Sequence, residues 1–149
     1  MGTQGDSVLD DCEEPEPGVE VVKADVGTLW LGSDGITRVH LNSYPQFTPE
    51  HARQLFDAYG LLSPGKRVLA LVQVGKVRRS ATGTREIMAG EESVGWHRGV
   101  AFLIRSPVAR VLVNGFISLQ RPAYPTRVFV KGSREAARRW LLALPETPP

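Results

Sequence analysis

The sequence has very little cysteine and no long apolar run. Cys12 is the single cysteine of the 149 residues, so it has no partner for an internal disulfide or for a thiolate metal site. The three histidines, His40, His51 and His97, share no metal-ligand spacing. No uncharged apolar stretch is long enough to predict a membrane span, and the acidic amino-terminal region lacks the basic and apolar parts of a signal peptide. These absences predict a cytoplasmic protein without a metal site.

The motifs of the common enzyme classes are missing as well. The sequence contains no Ser-His-Asp set, P-loop, dinucleotide-binding glycine fingerprint, metal cluster or recognisable pair of buried carboxylates. Most acids of the expected folded part lie in predicted turns or in the first turns of helices. The sequence therefore predicts a protein that is not an enzyme, with no catalytic residues and no cofactor.

Charge is distributed unevenly along the chain. The formal net charge is +2, yet residues 1–25 hold a cluster of acids against a single base, Lys23. With two prolines and little apolar content, this stretch predicts a disordered acidic tail, followed by one domain over residues 26–146. The rest of the chain is rich in arginine. Either the tail only offsets a solvated basic surface, or an acidic partner competes with the tail for that surface.

Apolar runs and turn residues predict five strands. Asp34-Gly35 lies between two apolar runs, residues 28–32 and 36–42, and predicts a hairpin. The nearly continuous apolar runs at 67–74 and 99–105 are typical of strands that are covered on both faces. A shorter run, Val128-Phe129-Val130, predicts the last strand.

Start and stop signals predict four helices between these strands. Thr48-Pro49 and Ser106-Pro107 are helix starts, because the hydroxyl caps an amide and proline suits the first turn. We expect the first helix to end at Gly60 and the third at Arg121-Pro122. The second helix is predicted from Thr82 or Thr84 to about Gly95, and the fourth from Ser133. On the third helix, the residues predicted to be buried are Val108, Val111, Leu112, Phe116 and Leu119, and those predicted to be exposed are Arg110, Asn114 and Ser118.

The alternation of buried strands and amphipathic helices defines the expected fold class. It predicts an α/β protein with a mixed β-sheet, in which an N-terminal hairpin is followed by parallel strands and about four helices pack on the sheet.

This element order resembles the STAS fold of bacterial anti-sigma-factor antagonists. The segment from Ser106 to Arg127 carries the closer resemblance, through Ser106-Pro107-Val108-Ala109-Arg110, Asn114, Phe116, Leu119-Gln120-Arg121-Pro122 and Tyr124-Pro125-Thr126-Arg127. It is similar to the SpoIIAA-like, or STAS/SEC14-domain, family of small bacterial proteins. The resemblance implies a STAS-like fold over roughly residues 28–145 and favours a role in signalling through protein–protein interaction.

The resemblance also implies a candidate switch. In STAS antagonists a serine at the start of a helix is phosphorylated, and the phosphate abolishes binding to a partner kinase. The matching loop here has three candidate hydroxyls among basic side chains: Ser80, Thr82 and Thr84, with Lys76, Arg78, Arg79 and Arg85. The loop departs from the usual Asp-Ser-Ser/Gly pattern, since it has no neighbouring aspartate. Either it is a phosphorylation and partner loop, or its hydroxyls only cap the helix.

A second group of candidates lies around the start of the third helix. Arg105, Ser106 and Arg110 could form an anion or partner site there, or Ser106 is only a cap and the arginines are solvated. Asn114 either lines a pocket or contacts a partner helix, or it bonds to the nearby Arg121-Pro122 loop.

Two functional hypotheses remain. The first is a regulatory module that binds a protein partner, which the basic loop predicts to be acidic. The second is a small-ligand or lipid carrier of the SEC14-like type, with an apolar pocket and a basic rim. Nucleic acid is not expected, because the basic residues are not interleaved with exposed aromatic residues. A homodimer is compatible with the hairpin edge or with the region of Trp96.

Overall fold

The computed structural model describes residues 13–130 and 132–145, which form eight strands and five helices. The strands are β1 (Val21–Lys23), β2 (Gly27–Leu31), β3 (Ile36–Leu41), β4 (Tyr44–Phe47), β5 (Val68–Gln73), β6 (Val77–Ser80), β7 (His97–Ile104) and β8 (Thr126–Val130). The helices are α1 (Pro49–Leu62), α2 (Thr84–Ala89), α3 (Glu91–Trp96), α4 (Pro107–Gln120) and α5 (Arg134–Leu142).

Six strands form one mixed sheet in the order β1-β2-β3-β5-β7-β8. The first three are antiparallel, and β3, β5, β7 and β8 run parallel to one another. The turn at Asp34-Gly35 makes the predicted hairpin, and Gly35 has a φ of 84°, a left-handed conformation that favours glycine. The expected mixed sheet, with a hairpin followed by parallel strands, is confirmed.

Helices cover the sheet unequally. One face packs against α1 and α4 and against side chains of α2 and α3, with Val72 and Val100 among the buried strand residues. The other face packs against α5, whose Ala137 and Leu141 are fully buried beside Leu71 and Leu103 of the strands. Because β5 and β7 lie between two helical layers, both of their faces are apolar.

Strands β4 and β6 form a separate two-stranded parallel sheet, which the apolar runs of the sequence do not predict. Tyr44 pairs with Val77, and Phe47 pairs with Ser80. The ring of His51, in the first turn of α1, stacks on the ring of Tyr44 at a centroid distance of 4.2 Å. This stack fixes the small sheet to the start of α1.

Several predicted boundaries need correction. The single helix predicted from Thr82 or Thr84 to Gly95 is in fact two six-residue helices that meet at Gly90. The N-cap of the first of them is Gly83, which makes no side-chain hydrogen bond, so neither threonine caps the helix. Helix α1 continues through Gly60 to Leu62. Helix α4 has the predicted ends, but Arg121 closes it in a left-handed conformation, with a φ of 47°.

The expected tail of 25 residues is wrong for residues 13–25. Strand β1 adds an edge to the sheet within this stretch. Glu13 pairs with Arg38 at 3.0 Å, and Glu16 accepts a hydrogen bond from the Ser33 hydroxyl at 2.7 Å. These acids are used to hold the stretch against the hairpin. The part of the predicted tail formed by residues 1–12 lies outside the described residues.

A charged cluster joins the hairpin turn to α5. Asp34 accepts hydrogen bonds from Arg38 Nη2 at 3.0 Å and from Arg138 Nε at 2.8 Å. Arg38 is only 5% exposed, so its charge depends on these carboxylates. Burial would raise the pKa of Asp34, but the hydrogen bonds from the two arginines outweigh it and lower the pKa from 3.8 to about 2.

A buried chain of polar groups joins three helices to the sheet. The Tyr59 hydroxyl lies 2.9 Å from Nε2 of His97, whose Nδ1 lies 3.0 Å from the Ser93 carbonyl oxygen. The Ser93 hydroxyl donates to the Tyr124 hydroxyl, which donates to the Met88 carbonyl at 2.6 Å. Burial lowers the pKa of His97 to about 4, so the ring is neutral at pH 7. The neutral His97 ring donates from Nδ1 to the Ser93 carbonyl oxygen, so its Nε2 accepts a hydrogen bond from the Tyr59 hydroxyl.

We expect Asp34→Asn to lower the free energy of unfolding at pH 7 by about 2 kcal/mol, because it leaves the buried Arg38 charge with less compensation. The folded-state pKa of Asp34 is depressed, so its contribution is present above pH 3.8 and is lost as the pH falls towards 2. Urea unfolding of both proteins at pH 7 and pH 2 measures this. Glu135→Gln, at an exposed acid that pairs with Arg138, is the control and should cost less than about 0.5 kcal/mol. An equal cost of Asp34→Asn at both pH values would contradict the assignment.

We expect the stability to fall as the pH drops from 6.5 to 4, because the unfolded chain protonates His97 in this window and the folded chain does not. The shift corresponds to as much as about 3 kcal/mol. In His97→Gln this part of the slope of unfolding free energy against pH should disappear. His40, whose pKa burial also lowers, supplies the control: His40→Gln should keep the larger part of the slope. A slope in His97→Gln equal to that of the wild type would show that His97 is not buried as a neutral ring.

Candidate functional site

The basic loop predicted to carry activity lies where the chain leaves the main sheet after β5. Gly75 begins it and passes so close to β3 that a Cβ there would lie 2.8 Å from the Leu41 carbonyl oxygen. The Lys76 amide donates to the Ser43 hydroxyl at 3.1 Å. These contacts fix the direction of the loop, which continues as β6 beside β4.

The structure separates the predicted loop residues into two groups. Lys76, Arg78, Arg79 and Thr82 are exposed, and together they make a basic outer surface. Ser80, Thr84 and Arg85 instead line a cavity behind β6. Thr84 is fully buried and its hydroxyl donates to the Phe47 carbonyl oxygen at 3.2 Å, so it is not accessible for phosphorylation. Ser80 belongs to strand β6 and does not start a helix.

The cavity lies between the main sheet, the small sheet and the helices α1, α2 and α4. Its volume is about 100 Å³. The apolar wall is formed by Leu41, Phe47, Leu55, Val72, Val74, Val77, Met88, Val100, Phe102, Ala109, Leu112, Val113 and Phe116. Val77 and Phe116 are buried lining residues outside the two apolar core clusters, whereas Val72, Val100 and Val113 belong both to the wall and to the core.

One side of the cavity reaches the surface. Seven lining residues are half-buried, and Ser80 and Arg85 are the two polar ones among them, so they supply the polar groups of the partly exposed rim, called here the mouth. Among residues 13–130 and 132–145, no hydrogen-bond or ion-pair partner contacts either side chain. A hydroxyl and a guanidinium therefore stand at the mouth with their donors available.

The opposite end of the cavity is closed by the buried polar chain. Tyr59, His97 and Tyr124 line it, and each is less than 5% exposed. Burial raises the pKa of Tyr124 to about 12 and also raises the pKa of Tyr59 well above its usual value, so both hydroxyls stay protonated at pH 7. Their protons are already donated, to Met88 and His97, and this end offers a ligand no unused hydroxyl donor.

Helix α4 separates the cavity from solvent and has two apolar faces. Ala109, Val113 and Phe116 are buried on the cavity side. Val108, Val111 and Leu119, which the sequence predicts to be buried, are 50%, 72% and 69% exposed. The prediction of one buried stripe is wrong for these three residues, because the sheet covers only the side of the helix that carries Ala109 and Val113. Leu112 lies between the two faces and is half-buried.

The predicted anion or partner residues around α4 differ in their surroundings. Ser106 caps the helix by accepting from the Ala109 amide at 3.3 Å. Arg105, Arg110 and Asn114 are exposed. The sequence allowed an apolar pocket with a basic rim as its second hypothesis but did not identify the lining residues or the polar far end, although Ser93 and His97, four residues apart, could have indicated a paired buried histidine.

Two kinds of feature are absent from the described part of the chain. Residues 13–130 and 132–145 bring no three His, Cys, Asp or Glu side chains together in a group that could hold a metal ion. Nor does any of the five helices combine the length and the apolar character needed to cross a bilayer.

Comparisons with known proteins place this architecture. Among solved structures, the chain is similar to an uncharacterized protein of the DUF3478 family with a SpoIIAA-like fold from Shewanella loihica PV-4. The two share 10% sequence identity with a TM-score of 0.51, over 83% of this chain and 92% of the other. At this identity the likeness establishes the fold alone, and it confirms the SpoIIAA-like, STAS-like α/β fold expected from the resemblance.

No curated protein matches the chain. A family model described as a domain of unknown function, DUF7793, matches residues 29–144, which include the main sheet from β2 onwards, the cavity and both faces of α4. The chain belongs to the DUF7793 family.

Proposed function

We propose that the protein is a non-enzymatic, cytoplasmic interaction module that binds an acidic amphipathic helix of a protein partner along the outer face of α4. The observation that carries this proposal is the exposed apolar stripe formed by Val108, Val111, Gly115 and Leu119, named here the α4 stripe. Its three large side chains are each at least half exposed. A contiguous apolar patch on a protein surface is typical of a site that binds another protein.

The spacing of the α4 stripe suits a partner helix. Its members follow one another at three and four residues, the repeat by which a helix presents one face to another helix. Gly115 lies in the middle, and a Cβ placed there would meet nothing within 4 Å. A glycine at this point allows the backbone of a partner helix to come close.

Charge selects the kind of partner. Residues 105–127 contain no acid, and the same helix and its C-cap carry the exposed arginines Arg110 and Arg121. An acidic helix would complement these charges. A second copy of α4 would bring arginines against arginines, so the charges favour a different protein over a homodimer.

The cost of the Arg121 conformation supports a binding role for this residue. A non-glycine residue at a φ of 47° is strained by about 1 kcal/mol. Glycine would remove this strain at the end of the helix. An arginine at this position therefore has no advantage over glycine for folding, which supports a role for its side chain in partner binding.

Phosphorylation of Thr82 or Ser80 is the regulatory step that we propose for this module. Thr82 is exposed in the turn before α2, and Arg78, Arg79 and Arg85 lie within four residues of it in sequence. A phosphate there would pair with these arginines. Helix α2 packs against α4, so the order of the loop affects the helix that carries the stripe. Phosphopeptide mapping of the protein from its own cells should find the phosphate; unmodified Ser80 and Thr82 under all growth conditions would remove this step.

Binding can be tested with synthetic helices of defined charge. We expect an amphipathic peptide with leucines on one face and glutamates at its flanks to bind the protein, and its lysine counterpart to bind at least about tenfold more weakly. Val111→Glu should weaken binding of the acidic peptide about tenfold or more. Leu61→Glu, at an apolar residue of α1 that is 65% exposed, is the matched control and should leave the affinity unchanged. Fluorescence anisotropy of labelled peptides measures all four affinities.

Arg121→Gly separates binding from folding in the same assay. The glycine should leave the unfolding free energy unchanged or raise it by about 1 kcal/mol, and yet weaken binding of the acidic peptide. Equal binding of both peptides, or no effect of Val111→Glu, would contradict the proposal. Light scattering gives a further check, since a dimer that Val111→Glu dissociates would make a second copy the occupant of the α4 stripe.

A further inference from the structure

We infer that the cavity between β6, α2 and α4 is a binding site for a small carboxylic acid, with its apolar body inside and its carboxylate at Arg85. This site is separate from the α4 stripe, because it lies on the other side of the helix. Such a site would give a small-ligand role a defined ligand size and charge.

The wall of the cavity selects an apolar body. Val72, Val77, Val100, Val113 and Phe116 contribute aliphatic and aromatic surface from four different elements. Apolar cavities of this kind do not hold water readily, and one of roughly 150 Å³ is known to bind benzene. An apolar ligand would restore the packing contacts that the facing side chains lack.

The volume limits the ligand to a small molecule. Sites for drug-sized ligands enclose about 300–1,000 Å³, whereas this cavity has about 100 Å³. A single aromatic ring or a short branched chain fits that volume. A long acyl chain does not, which argues against a lipid carrier of the larger type.

The mouth selects an anion. Arg85 is half-buried and has no ion-pair partner among the described residues, which leaves a partly desolvated guanidinium uncompensated. The planar guanidinium matches the two oxygens of a carboxylate, and the Ser80 hydroxyl beside it is a further donor. Residues 75–85 contain no acid, so the loop adds positive potential at the mouth. The next acid along the chain, Glu86, is exposed.

The far end fixes the orientation of the ligand. His97 is neutral at pH 7, and the hydroxyl protons of Tyr59 and Tyr124 are committed to protein acceptors. An anion placed there would meet two acceptor oxygens and no cation. The carboxylate therefore lies at the mouth, and the ring or branched chain points towards Tyr59.

Benzoate, benzyl alcohol and benzylamine are suitable probes, because they share a ring and differ in charge. We expect benzoate to bind the full-length protein with a dissociation constant below about 1 mM. Benzyl alcohol should bind at least about fivefold more weakly, and benzylamine should show no binding. In methyl NMR spectra, benzoate should shift the resonances of Val77, Met88 and Val113 and leave those of Val111 and Leu119 in place.

Two variants test the assigned contacts. Arg85→Gln should weaken benzoate at least about tenfold while leaving benzyl alcohol within about twofold of its wild-type affinity. Arg110→Gln, on the outer side of α4, is the matched control and should change neither. Leu112→Trp should fill the cavity and weaken both ligands, and near-ultraviolet circular dichroism checks that it is folded.

The outcomes that overturn the inference are distinct. No benzoate binding at 10 mM, a limit of about that order for specific binding, would remove the site altogether. Binding that Arg85→Gln and Arg110→Gln weaken equally, or equal affinity for benzoate and benzyl alcohol, would remove the carboxylate contact. Shifts confined to Val111 and Leu119 would place the ligand on the α4 stripe. Because the acidic peptide is tested on variants of that stripe, either proposal can fail without the other.

Discussion

Strand β6 hydrogen-bonds to β4 and does not join the six-stranded sheet. This parallel pairing keeps residues 77–80 apart from the face of the sheet, where β5 and β7 present valines. Helix α4 then closes the space between the two sheets. Had β6 extended the main sheet, Val77 and Ser80 would be ordinary strand positions and the loop after β5 would have no cavity behind it. The stack of Tyr44 on His51 holds β4, and through it the whole arrangement, against α1.

Helix α4 is the element on which both proposals depend. Its inner face contributes to the cavity through Ala109 and Val113, and its outer face presents Val111 and Leu119 to solvent. An ordinary surface helix has one apolar face, which it buries. The second, exposed apolar face of α4 is the surface for which we propose a partner helix. Both faces belong to one helix. A ligand in the cavity and a partner on the α4 stripe would therefore contact the same element.

Much of the fold was predictable because the signals are local. Asp34-Gly35 specifies the hairpin, apolar runs specify β5 and β7, and Ser106-Pro107 specifies the start of α4. The β4–β6 sheet was not predictable from the sequence. Its strands have only four residues each, β4 contains Pro45, and the two strands come from distant segments of the chain. The sequence also does not show which side of α4 is buried, because apolar residues lie on both sides. Which of them are buried depends on how the helix packs on the sheet. The candidate loop was found from its charge, but the division between its outer surface and the cavity mouth depends on tertiary packing.

A crystal structure under xenon pressure tests the central claim most directly, namely that β6 and α4 enclose an apolar cavity against the main sheet. Xenon occupies apolar cavities of this size without any need for charge or hydrogen bonds. The account predicts a xenon atom between Val77, Val113 and Phe116, with β4 and β6 still paired. Side chains that fill this space and exclude xenon, or a β6 strand joined to the main sheet, would contradict it.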